Sequence, residues 1–254
     1  MDALSSVLFV AATFLGGFTS GLTGFAAGLV VSGIWLHIMT PLQAAVLIAA
    51  YGMVNQAYGI WKVRRALAWR RILPFVIGGA VGVPLGAYLV TYLNPAHVRT
   101  GIGVLLIAYS GYNLTRPAVP PITSSSAIDG AIGVLNGLLG GLTGLGGVIS
   151  TIWCQLGGGP KDAQRAVFQP VLFLTMTMTT VTFAASGHLF QAGILRLFLL
   201  GLPALLLGLW VGVRLYGRLD DAAFRKAVLI LLLLSGLSLL LPAFFRAGLP
   251  AMIR

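Results

Sequence analysis

Gly21-Leu22-Thr23-Gly24-Phe25-Ala26-Ala27-Gly28 and Gly141-Leu142-Thr143-Gly144-Leu145-Gly146-Gly147-Val148 are two versions of one phrase, and both lie inside long apolar runs. The match continues downstream. Gly82 and Gly86 correspond to Gly208 and Gly212, Leu89 to Leu215, Leu93 to Leu219, Asn94 to Asp220 and Arg99 to Arg225. A hydrophobic unit that occurs twice, each time with a Gly/Thr interruption in its first segment, points to a membrane transporter with its site where the repeats meet.

Composition sets the solvent. The 254 residues are 58% hydrophobic and 8% charged, against about 25% charged in a soluble domain. So few charges cannot cover a water-facing surface, so lipid is the expected surroundings. Sixteen Lys and Arg stand against five acidic residues, none of them Glu. The basic residues fall in short connections, as cytoplasmic loops require, and this is not a nucleic-acid footprint. A single Cys, Cys154, excludes an internal disulfide and a CxxC redox pair and reads as a small packing residue. The first apolar run leads straight into more membrane-grade sequence and reads as a span, not a cleaved leader.

A spanning helix takes about 20 apolar residues. The first half offers 4–39, 42–61, 72–93 and 98–114; the second offers 127–156, 163–186, 197–218 and 222–241. The expected fold is an all-α polytopic membrane protein of two homologous repeats, 1–118 and 127–254. Each holds four apolar segments, and a Pro/Ser-rich connector at 119–126 joins them. The first segment of each repeat is too long for one span and barely long enough for two. It is a broken helix, a re-entrant hairpin or two short tilted spans. Basic residues crowd the second connection of the first half (Lys62, Arg64, Arg65, Arg70, Arg71) but the third of the second half (Arg214, Arg218, Arg225, Lys226). Repeats of opposite orientation would produce that exchange, which requires an odd number of crossings per repeat.

The chemistry is bounded by what is missing. Without Glu, and with only Asp129 and Asp162 able to approach the membrane interior, a carboxylate-built cation site is disfavoured. An anion suits neutral donors and positive helix ends better. Breaking a helix at Gly frees backbone N–H groups and aims a half-helix dipole at the break. The candidate site residues there are Thr23, Gly24, Thr143, Gly144, Gly146 and Gly147. The segments that follow add Gln43 and Asn55 in the first half and Gln164, Arg165 and Gln169 in the second. A guanidinium matches an oxyanion with two parallel hydrogen bonds. Gln169, one turn beyond Arg165, can share its face. Arg165 could also snorkel or pair with Asp162. His37, His97 and His188 have no metal-ligand spacing and read as interfacial. No HExxH, GxSxG or Walker pattern is present, so no catalytic residue, metal or cofactor is expected.

Taken together, the doubled four-segment unit, the breaks GLTGFAAG and GLTGLGGV, the Pro and Ala-rich start of the next segment and the later GxxxG pairs resemble the TauE/SafE family of sulfite-exporter-like permeases over nearly the whole chain. The resemblance implies a multi-pass secondary transporter of the bacterial inner membrane, exporting a small sulfur-containing or organic oxyanion such as sulfite, a sulfonate or sulfoacetate. Expected partners are a small anionic substrate and the lipid bilayer, with no nucleic acid and with a homodimer allowed. The competing reading is a non-transporting assembly subunit whose Gly motifs serve only helix packing.

Overall fold

A computed structural model describes residues 3–89, 95–115, 121–143, 146–185 and 193–248. The described residues form ten α-helices and no strands. In the first half these are α1 (Ala3–Thr23), α2 (Ala27–Ile38), α3 (Pro41–Val63), α4 (Trp69–Leu89) and α5 (Pro95–Thr115). The second half contains α6 (Ser126–Thr143), α7 (Val148–Leu156), α8 (Lys161–Ala185), α9 (Ile194–Tyr216) and α10 (Asp221–Gly248). The first apolar run of each half is therefore two helices. Gly24 (φ 85°) and Ala26 (φ 62°) turn the chain between α1 and α2, and Gly147 (φ 109°) starts α7.

Both pairs fold back on themselves. Phe9 near the start of α1 stacks on Trp35 near the end of α2, with ring centroids 5.2 Å apart. The Ile122 N–H, just before α6, donates to the Leu156 carbonyl at the end of α7 at 3.0 Å. Of the three conformations open to these segments, a single long broken helix is thereby excluded: each segment is two helices running back along each other.

Glycine then sets which helices touch. α1 lies along α9 and α6 along α4, each pair running parallel. A Cβ on Gly21 would come within 2.5 Å of the Leu209 carbonyl oxygen, and one on Gly137 within 2.7 Å of the Gly79 oxygen. Backbones approach this closely only where the side chain is a hydrogen, the small-residue contact of membrane helices. The other principal pairings are α5 with α10 and α3 with α8. The outside is apolar: Leu73, Ile77 and Val81 on α4 and Leu199 and Leu207 on α9 are more than half exposed. Among the described residues, Ala3–Thr23 and Ile194–Tyr216 are long and apolar enough to cross a membrane.

Candidate substrate site

The two breaks meet in the middle of the bundle. A cavity of about 40 Å³ is bounded by the start of α2 (Ala26 to Leu29), by Gly146 and Val148 at the start of α7, and by the middles of α3 and α8. The first N–H groups of a helix have no intrahelical acceptor, and the dipole makes that end positive. The wall thus carries two positive helix ends. α2 has no side-chain cap.

α3 supplies Asn55, 1% exposed, whose amide nitrogen and oxygen both lack a hydrogen-bond partner among the described residues. A buried polar group without a partner costs about 1–3 kcal/mol, and this amide leaves both a donor and an acceptor open on the cavity wall. Its neighbour Gln56 donates from Nε2 to the Gly24 carbonyl at 3.0 Å, pinning the first break to α3. Leu172 and Met176 of α8 close the opposite wall.

The second break is pinned from within its own hairpin. Asn136 of α6, 1% exposed, accepts at Oδ1 from Gly147 N–H at 2.8 Å and from Ser150 N–H at 3.4 Å. An amide on α6 thus caps α7. Gly147 tolerates no side chain, because a Cβ there would sit 2.5 Å from Leu172 Cγ.

Residues 9–239 match the family model for the sulfite exporter TauE/SafE. The chain belongs to the TauE/SafE family. No match is found among curated proteins or among solved structures. TauE/SafE proteins are membrane transporters of the sulfite and anion exporter type, not enzymes, so the cavity between the breaks is where a substrate is to be sought.

Of the residues the sequence marks as candidates for the substrate site, Asn55 and Gly146 line this cavity, and Gly147 sits between two lining residues. Thr23 is fully buried, and its hydroxyl donates back to the Thr19 carbonyl at 2.8 Å. Gly24 packs against α8, where a Cβ would meet Phe168 at 2.8 Å and Arg165 Nε at 3.0 Å. Gln43 stands apart in a capping box with Thr40, which holds the start of α3 by two 3.2 Å bonds. Gln164 donates to the Gly159 carbonyl at 2.9 Å. The side chains of Thr143, His37 and His97, and the whole of Gly144 and His188, lie outside the described residues.

Arg165 is 2% exposed but does not line the cavity. Its Nη2 donates to the Gly21 carbonyl at 3.1 Å and reaches the Ser20 carbonyl at 3.5 Å, and its guanidinium lies 4.1 Å from the Tyr216 ring centroid. Those carbonyls lie in the last turn of α1; Ser20 still accepts from Gly24 N–H at 2.7 Å, while the break leaves the Gly21 carbonyl to Arg165. A cation is the natural partner of a helix C-terminus. Gln169 does share the face: with its amide turned to the orientation that satisfies both ends, its Oε1 accepts from Arg165 Nη2 at 3.1 Å while its nitrogen donates to the Gly59 carbonyl at 3.2 Å. The two side chains tie α8 to the end of α1 and to α3. Asp162 instead accepts from the Tyr216 hydroxyl. Sequence reasoning missed Asn136; the signal was a buried-grade amide at the position where the first half has Gly16.

Proposed function

We propose that the chain is a multi-pass carrier of the bacterial inner membrane that exports a small sulfur-containing or organic oxyanion, such as sulfite, a sulfonate or sulfoacetate, by alternating access. One observation carries this reading: the starts of α2 and α7 both face a cavity where the Asn55 amide has no protein partner. The cavity of about 40 Å³ has room for about three water-sized groups, the number of oxygens on sulfite or a sulfonate head. N–H groups and positive helix ends suit an anion, and among the described residues no carboxylate lines the wall.

The helix pairing supports inverted repeats over 1–118 and 127–254. Exchanging the halves turns α1 on α9 into α6 on α4 and leaves α3 with α8 and α5 with α10 unchanged. A hairpin followed by three spans is an odd number of net crossings. That brings the two basic connections, 64–68 and 217–220, to one side, where positive residues mark the cytoplasm. α1, α2 and α9 form one glycine-knit body, and α6, α7 and α4 the other. Rocking of one against the other would open the cavity to each side in turn.

The test is flux from proteoliposomes. Sulfite, sulfoacetate or a related sulfonate moves, and Asn55→Leu stops it while the protein still folds, since that amide bonds to no protein group. Movement of a neutral or cationic solute, with none of these anions, overturns the proposal.

A further inference from the structure

Two further cavities lie between the central one and the end of the bundle opposite the basic loops. The nearer holds about 10 Å³ and shares Ala27, Gly28 and Ile48 with the central cavity. Its wall includes Trp35, 1% exposed, whose indole N–H has no hydrogen-bond partner among the described residues. The farther holds about 220 Å³ among Ser6, Gln43, Arg196 and Leu197, at the starts of α1, α3 and α9.

Between them stand four rings in a row, the outer two pairs stacked and the middle pair tilted by 53°. Phe9 to Trp35 is 5.2 Å between centroids, Trp35 to Tyr51 5.9 Å and Tyr51 to Phe198 4.9 Å. Phe9, Trp35 and Tyr51 are 2% exposed or less. They come from α1, α2, α3 and α9, so any shift among those helices parts the stack. The Tyr51 hydroxyl fastens it, lying 2.9 Å from the carbonyl oxygens of both Leu197 and Phe198. Leu197 also lines the outer cavity, so this fastening stands between the two spaces. A stack of rings built only to fill space would not leave a buried donor unpaired, since the orphaned N–H costs stability that a Phe would restore.

We propose that the Phe9–Trp35–Tyr51–Phe198 stack is the closed gate between the central cavity and an anion vestibule at Arg196 and Gln43, and that the Trp35 indole N–H is a relay donor an oxyanion engages on its way through. This rests on the carrier reading above. Arg196 supplies positive charge at the mouth, where a cation raises the local concentration of anions. Tyr51, held by α9 carbonyls, couples opening to movement of α9 against α3.

Cysteine labelling tests the gate without relying on flux. In a Cys154→Ser background in lipid nanodiscs, Ser6→Cys reports the vestibule and Thr13→Cys the inner cavity, where Thr13 is fully buried. A charged methanethiosulfonate reagent is expected to label Ser6→Cys readily and Thr13→Cys at least about tenfold more slowly. Adding Tyr51→Phe, which keeps the ring and cuts the fastening, speeds Thr13→Cys labelling by about tenfold, the equivalent of one lost hydrogen bond. Trp35→Phe keeps a ring in place and lowers the maximal flux of sulfite about tenfold with KM within about threefold, as for a donor used in passage. Equal labelling at the two positions, no response of Thr13→Cys to Tyr51→Phe, or an unlabelled Ser6→Cys overturns the gate. Unchanged flux in Trp35→Phe overturns the relay. No flux of any anion by the unsubstituted chain, with the labelling pattern as expected, overturns the carrier reading and the relay with it, and leaves only the closed barrier between the two cavities standing.

Discussion

Asn136 separates holding the fold from holding the substrate. Its Oδ1 is the acceptor for Gly147 N–H at 2.8 Å and, more weakly, for Ser150 N–H at 3.4 Å, while its own Nδ2 has no partner. Asn136→Ala orphans the Gly147 donor at about 1–3 kcal/mol. The longer contact is near the limit of a hydrogen bond and adds little. The Ser150 hydroxyl keeps the Gly147 carbonyl at 3.1 Å. The sum is about 2 kcal/mol, visible as a lower melting temperature in detergent. Asn136→Asp keeps the acceptor and places a negative charge at a helix N-terminus, which favours folding by up to about 1 kcal/mol. That charge also repels the substrate. An oxyanion held on the next free N–H groups is about 6 Å away, and at an effective dielectric constant of about 20 the repulsion is about 3 kcal/mol, or a hundredfold in affinity. Asn136→Asp should therefore melt like the unsubstituted protein and transport poorly at neutral pH. Unimpaired flux in Asn136→Asp above pH 7 would show that α7 does not aim its N-terminus at the substrate. An unchanged melting temperature in Asn136→Ala would show that the amide does not hold the break.

Arg165→Met removes the donor to the Gly21 carbonyl and the stack on Tyr216. It should lower the melting temperature, equivalent to about 1–3 kcal/mol, while changing KM for the anion less than about threefold; a tenfold rise in KM with unchanged melting would make Arg165 a substrate ligand instead. Gly212→Val sets a Cβ 2.9 Å from Leu22 N and 3.0 Å from Gly21 Cα, both backbone atoms that cannot swing away. It should destabilise by about 1–3 kcal/mol or more. Gly111→Ala, with nothing within 4 Å of the new Cβ, should be neutral or stabilising by up to about 1 kcal/mol; equal melting temperatures for the two variants would contradict the glycine packing.

Much of this was legible in the chain. The GLTG phrases mark both breaks because Gly is what lets a backbone turn at Gly24 and Gly147. The four-residue spacing placed Arg165 and Gln169 on one face, and they do touch. What the residues did not reveal is which end of the break each polar group serves. A broken helix frees carbonyls as well as N–H groups, so a buried Arg beside it answers either need. Only three-dimensional placement assigns Arg165 to the carbonyls of α1. Gln43 was readable as a cap, since Thr40 and Gln43 have capping-box spacing after an apolar helix. Asn136 was hidden because it acts across a turn on residues eleven and fourteen positions away, a separation no helical periodicity predicts.

The most direct measurement is the position of a bound anion. Selenite, an oxyanion with a strong anomalous scatterer, soaked into crystals of the full chain should give one peak among the starts of α2 and α7 and the Asn55 amide, and Asn55→Leu should remove it. A peak on Arg165 with the space between the breaks vacant would contradict a substrate held by unpaired main chain.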